Sequence, residues 1–515
     1  MTVATQSKIS LSLTACDTTI MHRAGMAGLY LTLKRLEEKY PDFRQREGNL
    51  SWSLTPDTID LFWEAIDFSA LDWLLKESFQ LDDNGLICLT GLDDYSELRQ
   101  KIELNEAIKA VFLRHNKFYQ AGEAKKISFT VEEREVSYSY KPLIWYAHQT
   151  FAKELCDTDT QQLKQDYLQI TSWLYLGGIV RHARADKKTK LEEKPEYALA
   201  LLFVPVVCHY CLFHLPSEDV NSRKPHRYLV VIPEINNFED ASRRRWRLQQ
   251  LEPQQLHVTN MSEAGLLYYS LDEIQANENY SQACQVWLYE KMNKASYQRV
   301  LTMVEEIEID KEMITTYQQV KQYFQPNYQH IYPNNILIEV NLVRSLIAEN
   351  LRQKQPWWFN FWKKLIDEDS KNYLFKQLLS NQKGVKFMTK NSERDEKYLA
   401  FIEVFQQAMR ANFAKIYAKT ERGKNPLFQK KAERLRAELN CCYDEISFQH
   451  YLADFLARGG LNKPLQGQKR EVLLLIQQVP WEKLRIWALL GIASYEPKPK
   501  NLQELEGIKD ESEEE

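Results

Sequence analysis

Twenty consecutive residues carry no formal charge: YALALLFVPVVCHYCLFHLP, from Tyr197 to Pro216. An uncharged run of that length belongs in a bilayer or in a buried core. Pro205, His209 and His214 lie inside it, β-branched and aromatic residues crowd its second half, and both flanks are polar. These features argue against lipid and for two buried strands broken near Pro205. The fold must therefore supply enough structure to cover this run on all sides.

The rest of the chain offers that cover. Its 515 residues leave room for about three domains. KISLSLTAC alternates with period two and predicts an edge strand. TTIMHRAGMAGLYLTLKRLEEKY predicts a helix stopped by Pro41, and Ala24, Gly25, Ala27 and Gly28 open its first half to close packing. LSWSLTPDTIDLFW reads as two strands around a turn at Pro56-Asp57, ISFTVEEREVSYSYKP as a hairpin, and YLVVIPEI as a strand. From about residue 262 onward nearly everything reads as helical, with Gly scarce until Gly384. The expected class is α+β: an N-terminal mixed α/β body followed by a C-terminal helical bundle. The expected divisions are a mixed body at 1–260, a helical connecting region at 261–387, a bundle at 388–503 and an acidic, disordered tail at 504–515.

Charge is unevenly placed. The net charge is −4, yet the last twelve residues hold seven acids and one lysine. Without those six net negative charges the remainder stands at +2. The eight cysteines do not form a disulfide framework, and no basic head precedes an apolar stretch at the N-terminus. A reducing cytoplasm is the expected compartment.

The sequence carries no G-x-S-x-G, H-E-x-x-H, Walker or dinucleotide-binding motif. Cys208, His209, Cys211 and His214 have one metal-like spacing, but a structural zinc site draws ligands from two segments. Small buried residues in a strand explain them, so neither a metal nor any other cofactor is expected.

Basic clusters are the positive signal. Arg181, Arg184, Lys187 and Lys188 follow a Gly-Gly turn; Arg223, Lys224 and Arg227 precede a strand; Arg243, Arg244, Arg245 and Arg247 surround Trp246. If these three loop clusters converge, they form a cationic surface for a phosphate backbone. Each taken alone reads better as an ordinary solvated loop; three within about seventy residues favour nucleic acid. The segment from Met388 to Arg470 holds 16 Lys and Arg against 10 Asp and Glu. There Arg410, Lys415, Lys419, Arg422 and Lys424 cluster on one helix and its end, and Arg434 and Arg436 sit on the next. Phe401, Phe405, Met409 and Phe413 give that helix an apolar stripe. QPWWFNFWKKL (355–365) gathers Trp357, Trp358, Phe359, Phe361 and Trp362 as a stacking platform or a buried core, the latter favoured by helical spacing.

MHRAGMAGLYLTLKRLEEKYP (21–41), LSWSLTPDTIDLFWEAIDFSALDWLLKESFQL (50–81) and YLVVIPEINNFEDA (228–241) together resemble the large subunit of the type I CRISPR surveillance complex, Cascade. The form resembled is the Cas-eight family of MYXAN or type I-B-like kind. The resemblance implies a protein that is not an enzyme. It implies the crRNA and target double-stranded DNA as partners, with the Cascade backbone, handle-binding and small subunits. The mixed body is then expected to read the protospacer-adjacent motif and promote R-loop formation, and the bundle to guide the displaced strand. A helicase-nuclease would be recruited in defence, or transposition proteins in a transposon. No membrane partner is implied. Two readings from other classes stay open: a nuclease whose scattered His and Asp converge, and a helical scaffold without nucleic acid. In this family a small subunit is sometimes translated internally, and Met388 follows codons that can spell a purine-rich ribosome-binding sequence at Lys383-Gly384-Val385. Met388 is thus a candidate internal start; otherwise NQKGVKFMTK is an interdomain linker.

Overall fold

The computed structural model describes residues 8–92, 98–114, 116–131, 133–170, 174, 191–214, 227–274, 279–294, 297–332, 335–361, 364, 371–391, 396–417, 426–458 and 469–495. The chain is 54% helical and 21% strand, with a mixed N-terminal part and C-terminal helices. Two compact units result, one from residues 1–318 with 325–341, the other from 319–324 with 342–515.

The first unit is organised around the helix Ile20–Lys39. Thirteen of its side chains, Met21 through Leu36, are buried. Its small residues permit one close crossing. A Cβ at Gly25 or Gly28 would come closer than 3.0 Å to the carbonyl oxygens of Ala200 or Phe203, so a second helix, Pro195–Leu202, lies against the glycine face. Beside it a three-stranded sheet places Thr58–Phe62 between Ile9–Ser12 and Ser51–Leu54, all antiparallel. The expected edge strand and the turn at Pro56-Asp57 are both present.

The uncharged run is buried as expected but differently built. Among its described residues Pro195–Leu202 and Val204–Val207 are helical, and His209–Phe213 is a strand. Pro195 and Pro205 sit at helix starts rather than breaking a strand, where the missing N–H costs nothing. YALALL is rich in good helix formers, and a short apolar run does not by its period distinguish a buried helix from a strand. Among the described residues no helix is long and apolar enough to cross a membrane.

A five-stranded sheet completes this unit. Its order is His257–Val258, His209–Phe213, Arg227–Pro233, Ser281–Lys294, Tyr297–Asp310, antiparallel except for the first pair. The last two strands form a hairpin inside the region expected to be helical, and Asn327–Tyr332 with Asn335–Glu339 form another. The alternation was present in the sequence: Ile307 and Ile309 are buried while Glu306 and Glu308 are exposed. That is period two, which a surface strand needs and a helix cannot satisfy.

Among its described residues the second unit is built from helices: Leu342–Arg352, Lys371–Ser380, Gln382–Asn391, Glu396–Tyr417, Pro426–Asn440, Glu445–Arg458, Lys469–Gln478 and Trp481–Ala493. The final helix is its axis, with Trp487 fully buried. Around Trp487 stand Tyr398 at 5.1 Å, Phe401 at 5.9 Å and Trp358 at 6.2 Å between ring centroids. NQKGVKFMTK is not a linker here. It enters the helix Gln382–Asn391, with Val385 and Met388 fully buried and Gly384 pressed against Tyr323 and Phe324. The break expected at residue 388 therefore falls inside a helix.

Candidate nucleic-acid interface

The third arginine cluster is a helix, not a loop. Phe238–Leu248 starts at Asn237, whose side-chain oxygen accepts from the backbone N–H of Glu239 (2.8 Å) and Asp240 (3.1 Å). Acids then occupy the first turn and arginines the last, the order that suits the helix dipole.

Helical geometry divides the four arginines. At 100° per residue, Arg243, Trp246 and Arg247 (i, i+3, i+4) share one face. Arg244 and Arg245 turn inward with Phe238, Ala241 and Leu248. Arg244 is 8% exposed. Its Nε lies 3.0 and 3.1 Å from the Asp272 carboxylate oxygens and its Nη2 lies 2.8 Å from Oδ2. Tyr280 Oη also donates to Asp272, at 2.8 Å, and the Tyr269 ring faces the guanidinium at 4.6 Å. Burial pushes the Arg244 pKa down, Tyr268 and the Asp272 carboxylate push it up, and the net direction is upward. Arg244 is thus a permanent, internally neutralised cation and does not belong to a binding surface. Arg245 is also buried, its Nε donating to the Val206 carbonyl at 3.2 Å.

What remains outside forms one wall of a groove of about 490 Å³. The facing wall is the second half of Ile20–Lys39, through Leu31, Lys34, Arg35 and Glu38, and Gly91 lines the groove with them. Lys34, Arg35, Arg243 and Arg247 line the groove together with Glu38, and the buried Arg245 borders it. Trp246 stands in it 57% exposed. The phenol of Tyr30 stacks on Phe238 at 5.1 Å, joining the two walls below the surface.

Each exposed arginine already holds an acid. Arg35 Nη1 is 2.7 Å from Glu38, Arg243 meets Asp240, and Arg247 Nη2 is 3.0 Å from Glu273, itself 85% exposed at the side chain. Arg247 also donates to the Leu271 carbonyl at 3.3 Å. Exposed pairs of this kind are worth about 0–1 kcal/mol each, so a phosphate can replace the acid. Sequence reading missed Lys34 and Arg35; only the repeat of charge at Lys34, Arg35 and Glu38 near a helix end hinted at them.

The other expected positions are placed as follows. Arg181, Arg184, Lys187, Lys188, Arg223, Lys224, Lys419, Arg422 and Lys424 lie outside the described residues. Arg227 opens its strand, half-buried and paired in register with Phe213. In the second unit Arg410 is exposed on Glu396–Tyr417, the helix that also carries Lys415. Arg434 pairs with Glu438 and Arg436 with Glu433, both at 3.0 Å, so these cations also hold acids.

The aromatic run is core rather than platform. Trp357, Trp358 and Phe361 are buried, Trp358 stacks on Tyr398, Phe359 is exposed, and Trp362 lies outside the described residues. Cys208, His209 and Cys211 are buried. Burial pushes the Cys208 thiol up and the His209 imidazole down to about 3. His214 Nε2 lies 2.7 Å from His257 Nδ1. Among the described residues no three His, Cys, Asp or Glu side chains come together as a metal site.

Known proteins resemble this chain along most of its length. The DevT N-terminal domain matches residues 10–202 and the DevT C-terminal domain matches residues 389–515. Together they span more than half of the chain, with the arginine helix between them. The CRISPR-associated protein Cas8a1/Csx13 of Myxococcus xanthus (strain DK1622) is 24% identical over 545 residues, covering 98% of this chain and 91% of that protein. By these matches the chain is similar to CRISPR-associated proteins of Cas8 type, and it matches a DevT N-terminal and a DevT C-terminal domain in its two end regions.

Proposed function

We propose that this chain is the non-catalytic large subunit of a crRNA-guided type I complex of the Cascade kind, in a type I-B-like form. Its role is to recognise the protospacer-adjacent motif on double-stranded DNA, promote R-loop formation and help recruit a helicase-nuclease. Its partners are the crRNA, the target duplex and the backbone, handle-binding and small subunits, in the cytoplasm. The observation that carries this reading is the groove between Ile20–Lys39 and Phe238–Leu248, where Lys34, Arg35, Arg243 and Arg247 stand beside an exposed indole, the three arginines held only by exchangeable surface acids. In guided recognition base pairing supplies the sequence specificity, so the protein needs a short-motif reader and a grip on the backbone rather than a reaction centre. A cationic groove built from loop-free helix faces supplies such a grip. The same role in a transposon, recruiting transposition proteins, uses the same groove.

The test is charge reversal at the two outward arginines, Arg243→Glu with Arg247→Glu, in the complex assembled with crRNA. Target-DNA affinity is expected to fall. The slope of log K against log salt should become shallower by about 1.8, because each phosphate left without its arginine removes about 0.9. Unchanged affinity and slope would remove the groove from the DNA path. The purified chain is expected to cut neither DNA nor RNA, with or without divalent metal; cleavage would favour the nuclease reading.

A further inference from the structure

Trp246 is costly to leave in water, and its surroundings make its position informative. Its neighbours on the same helix face are Arg243 and Arg247, one turn apart, and Lys34 and Arg35 line the opposite wall. The helix that carries it is pinned from below by the buried Arg244–Asp272 pair and by Phe238 on Tyr30. The helix that presents the indole is therefore held in place by its buried side. A volume of about 490 Å³ falls in the range of small-ligand sites, about 300–1,000 Å³.

We propose, resting on the nucleic-acid reading above, that this groove is a single-strand site. One unstacked base lies on the Trp246 indole, and the phosphates on either side of it are held by Arg243 and Arg247 on one wall and by Lys34 and Arg35 on the other. A duplex keeps its base faces covered by neighbouring pairs, whereas a single strand can offer one to an aromatic ring. The indole thus selects unpaired strand where charge alone would not. The acids paired with the groove arginines are displaced when phosphate enters, so they set the affinity: Glu38 and Glu273 compete with the strand for Arg35 and Arg247.

The experiment uses the purified full-length chain, with oligodeoxythymidylate and oligouridylate of equal length, the same oligomers carrying abasic residues, and a duplex of that length. Stacking by one aromatic ring is worth about 1–3 kcal/mol per base, so Trp246→Ala should weaken single-strand binding about 5- to 150-fold with the salt slope unchanged. Trp246→Phe should recover most of it. Glu38→Gln and Glu273→Gln should each tighten binding, and abasic strands should lose most of their advantage over the duplex. A ribose or deoxyribose preference identifies guide or displaced strand as the natural occupant. Equal binding of duplex and single strand, or indifference to Trp246→Ala in a variant with the wild-type urea midpoint, overturns the proposal. If Arg243→Glu with Arg247→Glu leaves target-DNA affinity of the assembled complex unchanged while Trp246→Ala still lowers single-strand binding, the duplex-reading role fails and this site stands.

Discussion

The guanidinium of Arg244 donates two N–H groups to the carboxylate of Asp272, with Nη2 2.8 Å and Nε 3.0 Å from its oxygens, both side chains about nine-tenths buried. This pair decides what its neighbours can do. It fixes the rotation of Phe238–Leu248 about its axis, and that rotation aims Arg243, Trp246 and Arg247 outward. Removing one partner leaves the other charge buried and unpaired. Arg244→Met or Asp272→Asn should each cost about 3–5 kcal/mol, while replacing both by apolar residues of similar size should cost much less. Urea denaturation followed by far-UV circular dichroism measures this. Additive losses in the double variant would mean the two residues do not act as a pair.

The crossing of Ile20–Lys39 with Pro195–Leu202 depends on the absence of a side chain. Gly28→Ala puts a methyl group against the Phe203 carbonyl oxygen, which belongs to the backbone and cannot rotate away. A loss of about 1–3 kcal/mol or more is expected from overpacking, although Ala is the better helix former. A melting temperature at or above wild type would show that the two helices separate at little cost.

Acid should loosen the first unit. His148 is buried beside Phe79 and Tyr146, and burial lowers its pKa from 6.5 to about 3; His209 behaves alike. Because the folded-state value is lower, the unfolded chain takes up the extra proton as pH falls. The stability is full above pH 6.5 and declines toward about pH 3, by about 1.4 kcal/mol per pH unit for each histidine. Urea midpoints at pH 7.5 and 5.5 should differ accordingly, and His148→Gln should remove about half of the slope. An identical slope in that variant would assign the acid sensitivity elsewhere.

Met388 is proposed as the start of a separate small subunit. A chain beginning there would lack Trp358, which stacks on Tyr398, and Phe375, over which the Arg436 guanidinium sits at 5.4 Å. The short product should therefore be less stable alone than within the full chain. Mass spectrometry of expressed protein should find a peptide starting at Met388 or Thr389. Met388→Leu, a volume-conserving change costing under about 1.5 kcal/mol, should abolish the short product and leave the full-length chain folded. A short product that survives the change places the start elsewhere.

Several elements were legible from residue order alone. The opening helix with its glycine face, the strand pair around Pro56-Asp57 and the 125–140 hairpin follow from local period, turn chemistry and side-chain size. The hairpin 281–310 was equally written in its alternation, and long flanking helical runs masked it. The uncharged run resisted reading because burial on all sides erases the polar phase that distinguishes helix from strand.

The candidate groove divides in the same way. Sequence by itself determined that four arginines crowd around one tryptophan, because that is local. Only the tertiary structure decided that Arg244 and Arg245 face inward, that Trp246 stays in water, and that Lys34 and Arg35 stand opposite. A helix turns neighbouring residues about 100° apart, so adjacency in sequence separates side chains rather than gathering them. The partners that settle which face is buried, Asp272 and the Val206 carbonyl, come from distant segments whose approach no local spacing encodes.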